Sequence, residues 1–301
     1  MPSDGERTPI AEAARLLGVP MPTLRSWESR YGIPGAQRSP GRHRSYSAED
    51  LHALRMLRDE IGRGQRASLA ARTVRAMLGA GGPARESVDA VLRASSDGDA
   101  DGVRAELNRA VAVLGLGACI DDVLFPAMKQ IGNWWESGHC DVEQERFTSE
   151  TVRAWLEGSA ARAPAPMARA PIVLACGPSD QHTIGLEALA LLLRLQRWPC
   201  RVLGGRVPVP VLVTAVRANQ APAVVVVCHL NSGRQRAIRA IRAVDELPGA
   251  LFYAGNGFSS PRSRRSVPGR YLGTRVQDAC ATVLAELAGA VVDNPLGPAG
   301  G

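Results

Sequence analysis

Apolar residues recur along this chain with two periods, and the change between them falls near residue 170. Before it the spacing is helical. Ile10, Ala13, Ala14 and Leu17 share one face, and Leu116, Ile120, Val123, Leu124, Ala127, Met128 and Ile131 share another. After it come short β-branched runs at 171–176, 201–207, 223–228, 250–254 and 270–273, separated by helix-length segments. That alternation predicts a doubly wound parallel sheet.

Punctuation divides the helical part. Thr8-Pro9 reads as a helix start, with Thr8 as cap, and Gly18 ends that helix. Val19-Pro20-Met21 turns the chain and Pro22 opens a second short helix to about Arg30, which is helix-turn-helix geometry. A Pro-, Gly- and Arg-rich stretch, 32–46, predicts a β-wing. Ser47 and Asp50 form a capping box for a helix over 48–60, and another helix runs from Ser68 to Leu78. Gly79 to Ala84 reads as a flexible linker, and Ala160 to Pro171 as a second. Four helical patterns lie between them. The expected fold class is therefore multidomain: an all-α winged helix-turn-helix (1–79), a four-helix bundle (84–161) and a Rossmann-like α/β doubly wound parallel sheet (171–293), with a loose tail after Asp293.

Composition changes this picture little. At 301 residues, 45% hydrophobic and 22% charged, the chain is an ordinary globular sequence. It has no apolar stretch long enough to span a bilayer and no signal-peptide pattern at Met1 to Pro9, so no membrane partner is expected and cytoplasm is the expected compartment. Six scattered cysteines lack any Cys-x-x-Cys pair, which points to buried thiols. The net charge of +7 is uneven: residues 1–80 hold 13 Arg against 8 Asp plus Glu. Basic charge at a helix-turn-helix points to nucleic acid.

Ile10 to Val19, then Thr23-Leu24-Arg25-Ser26-Trp27-Glu28-Ser29-Arg30-Tyr31-Gly32, then Gly41-Arg42-His43-Arg44-Ser45-Tyr46-Ser47 together resemble the winged-helix domain of the MerR family. That resemblance covers residues 8 to about 78 and implies a double-stranded DNA operator as partner. Arg25, Trp27, Arg30 and Tyr31 on the second helix, with Arg42, His43, Arg44 and Tyr46 on the wing, are the candidate DNA-binding residues. Arg25 and Arg30 lie within reach of base edges, and the wing arginines would grip phosphates. Trp27 is expected to pack between helix and wing or against a sugar, not to read a base.

The other chemistry lies at Asp180-Gln181-His182-Thr183-Ile184-Gly185, directly after the run Ile172 to Cys176. This order presents an imidazole at the carboxyl end of a strand, with a carboxylate beside it and a glycine that admits something large. It resembles the cobalamin-binding fingerprint, in which the histidine ligates cobalt and the aspartate holds its tautomer; the resemblance assigns those roles to His182 and Asp180. Cys228-His229-Leu230-Asn231-Ser232 stands where the corrinoid-binding family has Ser-x-Leu, and Ala254-Gly255-Asn256-Gly257 where it has Gly-Gly. The resemblance implies that Cys228, Leu230, Ser232, Gly255 and Gly257 leave room for the nucleotide tail. His229, at the end of an apolar run, reads as a satisfied core histidine.

Ile131 to Arg146 resembles the helical cap of CarH/LitR-type photoreceptors and of methionine synthase. Trp135 matches the tryptophan that covers adenosylcobalamin, and Glu145 the glutamate ten residues further on. Arg146 stands in place of the paired histidine, and Glu136 follows Trp135 where a photoreceptor can have a cobalt-capturing histidine. The resemblance implies a cobalamin-dependent repressor that binds adenosylcobalamin, responds to light through it and assembles into a homotetramer, with RNA polymerase as a further partner and the nucleoid as its place. A MerR-type regulator that is not light-switched, or that is cobalamin-independent and answers to a protein partner, is the alternative. A corrinoid enzyme would need a substrate pocket for which no residues remain.

Overall fold

The first apolar stripe folds as a helix, but not from Thr8. In the computed structural model, which describes residues 8–34, 44–62, 65–79, 83–136, 140–168 and 170–292, Thr8–Pro9 is a short strand, β1, paired antiparallel with β2, Ser45–Tyr46. Pro9 is the residue before helix α1 (Ile10–Leu17), and no side chain caps that helix. Tertiary pairing has taken the residue that local pattern assigned to capping. Gly18 ends α1 in the left-handed region, its N–H donating back to carbonyls of the last turn. Helix α2 (Met21–Tyr31) carries Pro22 in its first turn and stops at Gly32. Of the predicted wing, 35–43 lie outside the described residues.

The capping box forms as expected. The Ser47 N–H donates to Asp50 Oδ2 at 2.9 Å, and the Asp50 N–H to Ser47 Oγ at 3.1 Å. They open α3 (Ala48–Gly62), and α4 (Ala67–Gly79) follows. Ala13, Leu17, Leu24, Ile33, Leu54, Leu57 and Val74 are fully buried together in one core.

The chain divides into two compact units, 1–85 and 86–301, and the bundle and the sheet both lie in the second. Helices α5 (Pro83–Ser96), α6 (Ala100–Leu114), α7 (Leu116–Ala118) with a π-helical segment Cys119–Leu124, α8 (Phe125–Glu136) and α9 (Val142–Ala160) make the bundle. Ser95 Oγ and Thr148 Oγ1 hydrogen-bond inside it at 2.7 Å, and the Trp155 indole donates to Asn108 at 2.9 Å.

The sheet is built from β3 (Ile172–Cys176), β4 (Cys200–Gly204), β5 (Ala223–Val227), β6 (Ala250–Ala254) and β7 (Arg270–Tyr271), all parallel, in the order β4-β3-β5-β6-β7. Every residue of β3 and β5 is buried, as continuous apolar runs in a parallel sheet require. Helices α10 (Ile184–Leu195), α11 (Val209–Ala218), α12 (Arg234–Asp245) and α13 (Val276–Val292) complete it. The tail from 293 lies outside the described residues.

The predicted second linker is tied down. Met167 N–H donates to the Arg197 carbonyl at 2.9 Å, and the Arg197 guanidinium to the Ala165 carbonyl at 3.1 Å. Bundle helix α9 meets the sheet domain through Arg153, which donates to Thr183 Oγ1 at 3.2 Å and lies 3.5 Å from Glu187.

Candidate functional site

Strand order reverses between β3 and β5, and a crevice opens outside the carboxyl ends of such a pair. The loops leaving those two strands carry His182 and His229. Asp180 holds both loops. Its Oδ1 accepts from the His182 N–H at 2.9 Å and lies 2.7 Å from His182 Nδ1, while Oδ2 accepts from the His229 N–H in the other loop. Burial alone would raise this carboxyl, which is 1% exposed; the three hydrogen bonds outweigh it and hold the pKa at about 2.

The partner responds in the opposite direction. The hydrogen bond to Asp180 raises the His182 pKa, partial burial opposes it, and the charges of Asp180 and Glu145 add to the rise. Nδ1 faces the carboxylate, so the neutral tautomer carries its proton there and leaves Nε2 with a free lone pair. The side chain is 53% exposed. A half-exposed imidazole whose second nitrogen is held by a buried carboxylate is a prepared metal ligand. Among the described residues no three His, Cys, Asp or Glu side chains could hold a bare ion together, so His182 would act as a single ligand.

His229, which its flanking run placed in the core, follows the fully buried strand β5. It is half-buried, its ring centroid 5.7 Å from that of His182, edge to face. Burial lowers its pKa. A Cβ built on Gly185 would meet only His229 Nε2, at 3.8 Å, so the glycine of the fingerprint borders open space.

Gly255 and Gly257 have a different reason. Gly255 has φ +101°, and a Cβ there would lie 2.3 Å from the Cys228 carbonyl oxygen; one on Gly257 would lie 2.9 Å from the same atom. The glycines let the loop after β6 close on the backbone after β5. Cys228 is 1% exposed, its thiol donates to the Leu230 carbonyl at 3.3 Å, and burial pushes its pKa to about 11. Leu230 and Ser232 are exposed beside it.

On the bundle, Glu145 accepts from Ser149 Oγ at 2.9 Å in the first turn of α9. Its charge adds to the rise of the His182 pKa. Trp135 is 49% exposed and Arg146 is exposed; neither shares a hydrogen bond, ion pair or ring contact with His182. Trp134 is half-buried, and the Glu136 side chain and His139 lie outside the described residues.

In the amino-terminal unit the expected reading surface contracts. Trp27 and Tyr46 are 7% and 3% exposed and belong to the core, where large aromatics are needed to fill a domain this small; neither can lie on a DNA surface. Tyr31 packs partly against the same core. Arg25 and Arg30 are exposed on α2, and Arg44 is exposed with its guanidinium 3.1 Å from Glu28. Arg42 and His43 lie outside the described residues.

Comparison with known proteins adds to this geometry. The profile for the MerR HTH family regulatory protein matches residues 8–76, and that for the B12 binding domain matches 88–157. The HTH-type transcriptional repressor CarH of Myxococcus xanthus is 34% identical over 220 residues, 68% of this chain and 73% of that protein. The chain belongs to the CarH-type MerR regulators. A second relative, the HTH-type transcriptional repressor CarA of the same organism, is 32% identical over 67% of this chain and 70% of its own length. For the fold of the carboxyl-terminal unit, the Methanosarcina barkeri monomethylamine corrinoid protein superposes with a TM-score of 0.52 at 14% identity, covering 67% of this chain and 99% of that one.

The chain is thus a DNA-binding transcriptional regulator of the MerR type with a cobalamin-binding domain, and not an enzyme. The donor set at the sheet edge fits the cofactor of this CarH-type family: one imidazole with a free Nε2, fixed by a buried carboxylate, beside open space at Gly185. Among the described residues no helix is long and apolar enough to cross a membrane.

Proposed function

We propose that this chain represses transcription by binding operator DNA as a cobalamin-loaded oligomer, a tetramer, and that light acts through adenosylcobalamin to release it. The observation that carries this reading is the Asp180–His182 pair at the switch point of the sheet. Both Myxococcus relatives are transcriptional repressors, which supports the sign of the regulation.

In this reading His182 Nε2 holds the cofactor from the sheet edge, and Asp180 keeps the imidazole in the ligating tautomer. Trp135, Glu145 and Arg146 on the bundle would cover the group, and Leu230 and Ser232 would border it. When bound, the group would supply a cobalt that His182 would hold and, in its adenosyl form, a light-sensitive bond to carbon. Arg25 and Arg30 read the operator and Arg44 grips a phosphate, in the cytoplasm at the nucleoid, where an occupied operator keeps RNA polymerase off. Assembly multiplies several weak readers through effective concentration, so loss of assembly releases DNA without touching α2. Residues 1–79, 84–161 and 171–293 are the three functional modules.

Arginine at 146 favours a second reading, a regulator without the light switch, because a guanidinium cannot replace an imidazole as acid, base or ligand. The full chain, purified in darkness with adenosylcobalamin, separates the two. A cofactor spectrum that changes on illumination, with a fall in sedimentation coefficient, supports the first reading. A spectrum that stays fixed supports the second, and no retained cofactor at all refutes the first and leaves a cobalamin-independent regulator that answers to a protein partner.

A further inference from the structure

The amino-terminal unit is not the most basic part of this chain. Residues 228–275 hold nine arginines against only Asp245 and Glu246, a net charge of +7 on 48 residues. Residues 86–227, in the same unit, carry 13 basic against 16 acidic side chains. A genome-wide preference for arginine over lysine changes which base is used, not the balance of base against acid, so it does not account for this contrast.

The structure gathers these charges on one face. Arg236, Arg239 and Arg242 are exposed and follow one another every three residues along α12, whose other side is buried through Ala237, Ile238, Ala240, Ile241 and Val244. Arg242 donates to the Ser266 carbonyl at 3.3 Å, which joins α12 to the turn at Pro261–Arg264. That turn is held in shape: Ser260 Oγ accepts from the Ser263 N–H at 3.1 Å, and the Arg264 guanidinium stacks 4.5 Å from the Tyr271 ring centroid. Arg262 and Arg265 are exposed on it. Among the described residues none of these five exposed arginines is paired with a carboxylate.

Five like charges without counter-charges repel one another, and a surface serving only solubility would intersperse both signs. Arg236 to Arg242 spans about 9 Å of helix axis. Duplex DNA offers roughly five phosphates over that length. We propose that the arginine face of α12 and the 261–265 turn is a second DNA-contacting surface, independent of sequence, which grips backbone phosphates beside the operator. The inference rests on the chain's DNA-binding role and adds a contact that no helix-turn-helix reading supplies. Its ligand class is the phosphodiester backbone, so it contributes affinity and salt dependence but no base preference.

The test compares the full-length wild-type chain with the triple variant Arg236→Gln, Arg239→Gln, Arg242→Gln on two duplexes, one trimmed to the operator and one extended on both sides. On the extended duplex the wild type should show a steeper fall of affinity with salt. The variant should lose about 2.7 from that slope, at about 0.9 for each phosphate contact. On the trimmed duplex the two proteins should match. Equal slopes on the extended duplex overturn the proposal. So does unchanged DNA binding with lost binding to purified RNA polymerase, which would assign the face to an acidic protein. The pair Arg262→Gln, Arg265→Gln, on a separate segment, repeats the test if the helix variant misfolds. Failure of the wild type to bind either duplex would instead refute the operator-binding reading.

Discussion

The carboxylate of Asp121, in the π-helical segment of the bundle, accepts a 2.7 Å hydrogen bond from the backbone N–H of Val276, the first residue of α13 in the sheet domain. The next N–H, of Gln277, donates to its other oxygen at 3.2 Å. A side chain 155 residues away thus caps the helix. Arg275 straddles the junction, donating to both oxygens of the neighbouring Asp122 at 2.8 and 3.0 Å.

Asp121→Ala should therefore loosen bundle from sheet. It leaves two backbone donors without their partner and should cost about 1–3 kcal/mol. For a body of this size that is a fall in Tm of roughly 2–4 °C per kcal/mol, read by thermal denaturation of the full chain. Arg275→Ala removes a half-exposed ion pair and should cost less, about 1 kcal/mol at most. An Arg275 effect larger than that of Asp121 would show that the cap is not the main tie.

His182→Ala should abolish cobalamin retention, while Asp180→Asn should weaken it by about 10–100-fold, because the carboxylate orients the ligand without being one. Absorbance after desalting the loaded protein gives both numbers. Retention by His182→Ala at wild-type occupancy would remove the ligand assignment, and gel shift with operator DNA would then show whether the reader still works.

In the reading helix, Arg25→Ala should relax base preference at one operator position at a cost of about 1–3 kcal/mol. Arg44→Ala should weaken binding evenly across sequences and lower the salt slope by about 1. A binding series over single-base operator variants distinguishes the two patterns.

Tyr46 offers a sharper check on the corrected surface. Among the described residues its buried hydroxyl has no hydrogen-bond partner, and burial raises its pKa. Tyr46→Phe removes that unsatisfied group, so stability should stay level or rise, with operator affinity unchanged. Trp27→Ala, by contrast, should cost about 3–5 kcal/mol through the cavity it leaves. A clear loss of DNA affinity in a fully folded Tyr46→Phe protein would return that residue to the interface.

The thiols should be inert in the native state. Burial pushes Cys119, Cys176 and Cys200 to about 12. At about pH 8 the thiolate fraction is then on the order of 10⁻⁴. Brief iodoacetamide treatment followed by mass spectrometry should leave these three unmodified until denaturant is added.

Local pattern carried most of the architecture. The strands at Ile172–Cys176 and Ala223–Val227 stand where β-branched runs predicted them, because a strand buried on both faces has no polar alternation to confuse with a helix. The Ser47–Asp50 box and the Gly18 stop were legible for the same reason: their partners lie within a few residues. Asp180 and His182 were legible as a pair two residues apart, and the match to CarH bears out the family they suggested.

What no local reading could supply was every contact closed across the chain. Thr8 left its capping role for a strand because Tyr46 was there to pair with it. Asp180 accepts from the His229 backbone across a separation of 49 residues. Gly255 and Gly257 lie where two strand ends approach each other, and Tyr46 lies in the core of the amino-terminal unit. Periodicity and capping are energies of neighbours and are written in order along the chain. Burial, and the partner a polar atom finds, depend on which distant segments arrive together, and only the folded arrangement contains that.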